Sequence, residues 1–257
     1  MGEVFSFGYN KNGQLGQGNT DDYNMPTKIE SLKNVDFVEC GGSFVICKLL
    51  NNEIFVWGAN GYGQLGLGGQ DIVESFSTPV KASNWPNEIV DIKCGSIHTL
   101  ALTSKQEAFS CGNNYNGRLG RKTDEDFSSN MKIIQSPIQE IIRIGCGDNH
   151  SMIIDINNDI YFFGNNAKYQ LGVEEECEIP LKKHPSLSSI VDISQGGCHT
   201  FVKTGDNKIY AFGGNRFAQL GIESEENCQF TPIRVFEGSE DIWMSSNIKS
   251  SAKSARK

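Results

Sequence analysis

The 257-residue sequence has no apolar run approaching a membrane span and no segment with sustained helical periodicity. Its start, MGEVFSFG, lacks a basic stretch followed by an apolar one, so the cytosol or nucleus is the expected location. Met1-Gly2 with Ser6 fits an acylation pattern, yet Glu3-Val4-Phe5 matches Glu53-Ile54-Phe55 further on, so Gly2 reads as the turn before a strand. The eight cysteines contain no Cys-x-x-Cys pair and no even framework of a small secreted domain, so buried, reduced thiols are expected and no metal. No GxSxG elbow, phosphate loop or paired-carboxylate signature occurs, so no catalytic residue and no cofactor is assigned.

What the chain does have is repetition. FGYNKNGQLG from Phe7 returns as WGANGYGQLG from Trp57, CGNNYNGRLG from Cys111, FGNNAKYQLG from Phe163 and FGGNRFAQLG from Phe212. A second anchor alternates with it: VECGGSFV at Val38, IKCGSIHT at Ile92, IGCGDNHS at Ile144 and ISQGGCHT at Ile193. A period of about 50 residues belongs to propellers and solenoids, in which stacking buries faces that one unit cannot cover alone. Short β-rich runs separated by turns at Asn51-Asn52, Asn157-Asn158 and Asp206-Asn207 read as hairpins. The expected fold is therefore an all-β propeller of four-stranded blades, about five in number. Complete blades should begin near Val35, Ile89, Ile141 and Ile190, with the terminal segments sharing the fifth. Residues 1–243 form the expected propeller and 244–257 a basic, disordered tail.

Repetition also decides what apparent motifs mean. Gly61, Gly63 and Gly66 spell GxGxxG, but LGGQDIVESFSTP follows where a dinucleotide site needs a helix. His98, His150 and His199 occupy one position of the second anchor, with Phe44 in the first copy. A catalytic base is needed once per site, so these three read as structural hydrogen-bonders, together with the neighbouring Thr99, Ser151 and Thr200. His184 stands outside the pattern. The last two copies lose the inner glycine to Tyr169 and Ala218, which predicts altered turns there.

The order G-x-x-H-[ST], strand, turn, strand, [FW]-G-x-N-x-x-G-Q-L-G resembles the regulator of chromosome condensation repeat family across residues 1–243. That resemblance implies a propeller, usually of seven blades. The family's founding member is the nuclear exchange factor for the small GTPase Ran, and other members are interaction modules in ubiquitin ligases, centrosomal proteins and a plant ultraviolet-B photoreceptor. This chain departs from the pattern with five first anchors, no insertion suited to act as a wedge against a GTPase, and Trp57, Trp85 and Trp243 scattered rather than clustered.

Charge carries the functional expectation. The net charge is −8, and with the basic residues Lys249, Lys253, Arg256 and Lys257 set aside, the body carries −12. An acidic body disfavours a phosphate backbone, so nucleic acid is expected at most on the tail. The acids recur after the LG of successive first anchors: Asp71 and Glu74; Asp124, Glu125 and Asp126; Glu174, Glu175, Glu176 and Glu178; Glu223, Glu225 and Glu226. The segment should link the third strand of each blade to the fourth, placing the acids on one face as a partner-binding rim. The sequence thus predicts a non-catalytic protein-interaction propeller, with guanine nucleotide exchange on a small GTPase as the alternative.

Overall fold

A computed structural model describes residues 2–69, 73–121, 125–135, 138, 140–175, 178–224 and 226–237. The expected tail, residues 238–243 at the end of the expected propeller, and Cys177 lie outside these residues. Strands β1 (Phe5–Gly8) and β2 (Tyr23–Lys28) pair as a half-blade. The first complete blade comprises β3 (Val35–Cys40), β4 (Phe44–Leu49), β5 (Ile54–Ala59) and β6 (Ser75–Lys81). The second comprises β7 (Ile89–Cys94), β8 (His98–Thr103), β9 (Ala108–Asn113) and β10 (Phe127–Ile133). The third comprises β11 (Ile141–Cys146), β12 (His150–Asp155), β13 (Ile160–Asn165) and β14 (Glu178–Lys183). The fourth comprises β15 (Ile190–Gln195), β16 (His199–Thr204), β17 (Lys208–Gly214) and β18 (Cys228–Glu237). Every sheet runs up and down in sequence order, as in a propeller blade.

The hairpins follow from residues that tolerate positive φ. Asn52, Asn158 and Asn207 take φ of 67°, 61° and 63° at the second-to-third strand turns, where asparagine costs little. Gln106 does the same at 62° in the second blade.

The core lies between blades. All six residues of β8 and of β12 are buried, because each strand is covered on both faces. Successive residues serve different seams: Ile153 joins the cluster of Leu100, Leu102 and Ile144, while Met152 and Ile154 join Ile190, Val202 and Phe212. This double burial explains why the middle strands read as apolar runs rather than alternating patterns. First strands lie innermost, with β3 against β7, β7 against β11 and β11 against β15. At their ends a backbone relay crosses the seams, with Gly42 N donating to Ser96 O at 3.2 Å, Ser96 N to Asp148 O at 3.1 Å and Asp148 N to Gly197 O at 3.2 Å.

The turns at Tyr169 and Ala218 are not altered, contrary to the sequence expectation. Gly63 takes φ of 71°, and Tyr169 and Ala218 take the same left-handed conformation at 57° and 55°. A Cβ on Gly63 would meet Ser129 of the next blade at 2.5 Å, whereas Tyr169 stacks edge-on against Phe230, with ring centroids 4.4 Å apart. The facing residue, rather than the backbone, decides which side chain fits.

Candidate interaction site

Two repeated constructions are available to function, one inside the seams and one at the loop ends. Inside, the glycine of G-x-x-H makes a seat for a ring. A Cβ on Gly147 would lie 1.9 Å from His150 Cε1, so only glycine leaves room for the imidazole. His150 Nε2 meets Thr200 Oγ1 of the next blade at 3.1 Å, and that hydroxyl donates to Gln170 O at 2.8 Å. Since the hydroxyl's proton is committed to the carbonyl, Nε2 carries the proton it donates, and a buried Nδ1 with no hydrogen-bond partner among the described residues favours the neutral ring. His98 Nε2 meets Ser151 Oγ at 2.9 Å in the same way, and Ser151 donates to Arg118 O. Each hydroxyl therefore joins a histidine and a first-anchor turn of one blade to the following blade. Burial pushes His150 down to about 3, helped by the nearby His199. His199 packs edge-on against Phe201 and is also lowered by burial.

The first seams use other atoms. Thr99 donates to Gln64 O at 2.7 Å, but the residue at the histidine position of the first blade is Phe44, packed in the apolar cluster between the first two blades. Val45 stands where the other blades have Thr99, Ser151 and Thr200, and the Gln14 carbonyl of the half-blade accepts instead from Trp57 Nε1 at 2.9 Å. His184 is a separate element: its Nε2 meets Gly172 O at 3.2 Å, its Nδ1 accepts from Leu187 N at 3.1 Å, and burial lowers it to about 4.

Of the cysteines, Cys47, Cys94, Cys111 and Cys146 are buried as expected, while Cys40, Cys198 and Cys228 are only half-buried. None of the described cysteines is in a disulfide. Burial pushes the Cys47 and Cys111 thiols up to about 12.

At the loop ends, the motif asparagine proves central, a role the sequence reading missed although the residue recurs in every first anchor. Asn60 Oδ1 accepts from Leu65 N, its Nδ2 donates to Val73 O at 3.0 Å, and its backbone N donates to Glu74 O at 2.6 Å. Asn114 likewise accepts from Leu119 N, and its backbone N donates to Asp126 O at 2.7 Å. Asn166 joins Leu171 N to the carbonyls of Val173 and Glu175. The motif asparagine, buried at Asn60 and Asn166 and half-buried at Asn114, thus fastens the acid-bearing loop to the turn tip, which fixes where the loop backbone stands.

Glu74, Glu125, Asp126, Glu174, Glu175, Glu223 and Glu226 are exposed on equivalent third-to-fourth strand connections. Asp71, Asp124, Glu176 and Glu225 lie outside the described residues. Glu178 belongs to β14 rather than to the loop, paired with Asn165. Lys132 bonds Glu125 at 2.9 Å and holds its carboxyl below the usual range, and Lys182 pairs with Glu175. These pairings blunt part of the acidic field. Glu74, Asp126, Glu174, Glu223 and Glu226 make no ion pair among the described residues.

Arg118 replaces the motif glutamine in the second blade. It is buried, donating from Nε to Tyr115 O at 2.7 Å and from Nη1 to Asn149 Oδ1 at 2.6 Å across the seam. Burial lowers it to about 10, so it remains a cation at neutral pH. Among the described residues there is no His, Cys, Asp and Glu grouping suited to a metal, and no helix long and apolar enough to cross a membrane.

Up-and-down four-stranded blades, a ring seat at each seam and an asparagine-tied loop on each blade define a repeat propeller whose polar connections face outward. The chain belongs to the RCC1-like domain family, whose model matches residues 3–253. It is similar to the human E3 ubiquitin-protein ligase HERC2, with 30% identity over 66% of this chain and 4% of that protein. With the human probable ligase HERC3 it shares 31% identity over 69% of this chain and 17% of the other. The chain therefore spans a small part of these relatives. Among solved structures, yeast RCC1 (Prp20), seen bound to Kap60, superposes with a TM-score of 0.81 at 20% identity, covering 95% of this chain and 60% of that one. Human WBSCR16 gives a TM-score of 0.76 at 20% identity, covering 91% and 67%.

Proposed function

We propose that this chain is a non-catalytic docking propeller that binds a protein with a basic surface through the acidic third-to-fourth strand loops. The observation that carries this reading is that the exposed acids sit on equivalent connections of successive blades, each fastened by a motif asparagine, while His98 and His150 are committed inside the seams. Repetition turns separate charges into one field, which speeds encounter and weakens with salt over a Debye length of about 8 Å. His98, His150 and His199 do no chemistry in this reading. A basic partner is in keeping with the solved yeast structure Prp20p, whose binding to histones and Gsp1p has been described. Exchange on a small GTPase is the alternative that the family resemblance brings.

Two assays separate these readings. A pull-down with wild type and with Glu174→Gln, Glu175→Gln and Glu176→Gln combined should lose a salt-sensitive partner in the variant. Accelerated nucleotide release from a panel of small GTPases, unaffected by those substitutions, would instead favour exchange.

A further inference from the structure

A cavity of about 810 Å³ opens in the fourth blade, between the β14–β15 connection and the β16–β17 hairpin. Ser186, Ser188 and Ser189 of the connection line it together with Gly205 of the hairpin and Tyr210 and Pro232 of the outer strands. Because the strands alternate in direction, these turns lie at the end of the blade opposite the acidic third-to-fourth strand loops.

The other blades show why the space is here. One backbone bond recurs at this place: Leu50 N donates to Asn34 O at 2.9 Å, Ser104 N to Glu88 O at 2.9 Å, Ile156 N to Glu140 O at 3.0 Å and Gly205 N to Ser189 O at 2.9 Å. The side chains flanking that bond are Asn34 with Leu50, Glu88 with Ser104 and Glu140 with Ile156, but only a serine with a glycine in the fourth blade. Ser104 Oγ donates to Glu88 Oε2 at 2.8 Å, so that pair of side chains closes on itself. The turn does not demand glycine, since Gly205 is not left-handed, and a Cβ on it would meet Val191 Cγ1 at 3.7 Å and Ser189 O at 3.8 Å, which are ordinary contacts. The opening is thus made by missing side chains, not by a different backbone. A third change adds to it: Tyr161 OH donates to Asp155 Oδ2 in the third blade, whereas Thr204 stands at that place beside Tyr210, its own hydroxyl engaged with Asp206 and Lys208 O. The hydroxyls of Tyr210, Ser186, Ser188 and Ser189 have no hydrogen-bond partner among the described residues.

We propose that this cavity is a binding site for a neutral sugar residue. Its volume falls within the range of about 300–1,000 Å³ that small-ligand sites occupy, and four unengaged hydroxyls converge on it. A hydroxyl both donates and accepts, so such a lining matches a ligand whose own hydroxyls must do both. The Tyr210 ring and Pro232 offer apolar surface to the C–H face of a pyranose. Asp206 is the charged side chain of the lining, paired with Lys208, so an anionic ligand would find no cation in the wall to offset its desolvation. The site is independent of the docking face, which lies at the other end of the blades.

The test is saturation-transfer NMR on the full chain with the methyl glycosides of glucose, galactose, mannose and N-acetylglucosamine, with methyl glucuronide and glucose 6-phosphate as anionic controls. At least one neutral glycoside should bind with a millimolar Kd or tighter, and both controls more weakly. Gly205→Leu, which copies Leu50 of the first blade, should weaken that glycoside about tenfold or more by filling the space. Tyr210→Phe, which copies Phe55 and Phe109, should weaken it about three- to tenfold by removing one hydroxyl. Each variant carries a residue that another blade already holds at the same place, so the fold should be kept, and thermal melts check this. Transfer to none of the four neutral glycosides, equal binding of the anionic controls, or undiminished binding by folded Gly205→Leu would overturn the proposal. Displacement of the bound glycoside by a peptide of glycine and serine at equal concentration would also overturn it and give the cavity to a polypeptide segment.

Discussion

Phe44 fills the ring seat between the first and second blades, and His150 fills the equivalent seat between the third and fourth. Both rings rest on a glycine, Gly41 and Gly147, where a Cβ would come within 1.9 Å of the ring. The seat therefore selects a flat ring, and its chemistry is set by what the next blade offers. Thr200 offers a hydroxyl that accepts from His150, while Thr99 serves its carbonyl with no partner from Phe44. The half-blade seam shows a third solution, with Val45 in place of the hydroxyl and Trp57 supplying the hydrogen bond. Stability is thus redundant in kind between seams but exacting within each one.

Loss of the ring should have the largest effect. His150→Ala removes the donor to Thr200 and opens a cavity, at a cost on the order of 1–3 kcal/mol. His150→Phe, which copies the first seam, should cost about 1 kcal/mol or less, because Thr200 keeps its bond to Gln170 O. Denaturant melts of the two variants decide this, and equal losses would show that the hydrogen bond, rather than the ring, holds the seam.

Trp57→Phe should cost on the order of 1–2 kcal/mol by orphaning the Gln14 carbonyl. Val45→Thr restores a hydroxyl at the position used by the other blades, so the double variant should recover part of that loss. A thermodynamic cycle without coupling would contradict the exchange of roles.

Acid should distinguish the seams as well. His150 is held at about 3 and His184 at about 4 in the fold, below the ordinary value of 6.5. The unfolded chain takes these protons first, so their stabilisation is complete above pH 6.5 and lost as pH falls toward 4 and then 3. Each site contributes at most about 1.4 kcal/mol per pH unit in that window. His150→Phe should flatten the decline, and an unchanged pH slope would show that His150 is not a buried neutral imidazole.

Smaller effects belong to the turns. Ala218→Gly should gain about 0.5–1 kcal/mol by relieving a left-handed alanine, whereas Tyr169→Gly should gain nothing because it gives up the Phe230 contact. Thermal melts of the two variants give the comparison directly.

Much of this architecture is legible in the sequence. The anchors alternate in phase with the strands, and Val35, Ile89, Ile141 and Ile190 open the four complete blades. The turn conformation at Tyr169 and Ala218 was not legible, because a left-handed residue is held by hydrogen bonds and neighbours that the chain order does not display. The hydroxyl partners of His98 and His150 were visible as residues, Ser151 and Thr200, but that each lies one blade beyond its histidine is a matter of stacking. The acids were visible as charges. Their fastening by Asn60 and Asn114, and the lysines that neutralise Glu125 and Glu175, needed the fold.

The division between seams that hold and loops that bind is tested most directly by stopped-flow association of a labelled basic peptide of lysine, arginine, glycine and serine at low and physiological salt. Wild type is compared with a loop variant carrying Glu74→Gln, Asp126→Asn and Glu174→Gln, and with His150→Phe. The loop variant should associate more slowly and lose much of its salt dependence at unchanged thermal stability, since exposed substitutions usually move stability by within about 0.5 kcal/mol each. His150→Phe should associate as wild type does. A loop variant with wild-type rates at low salt, or a seam variant that loses binding while remaining folded, would contradict the account.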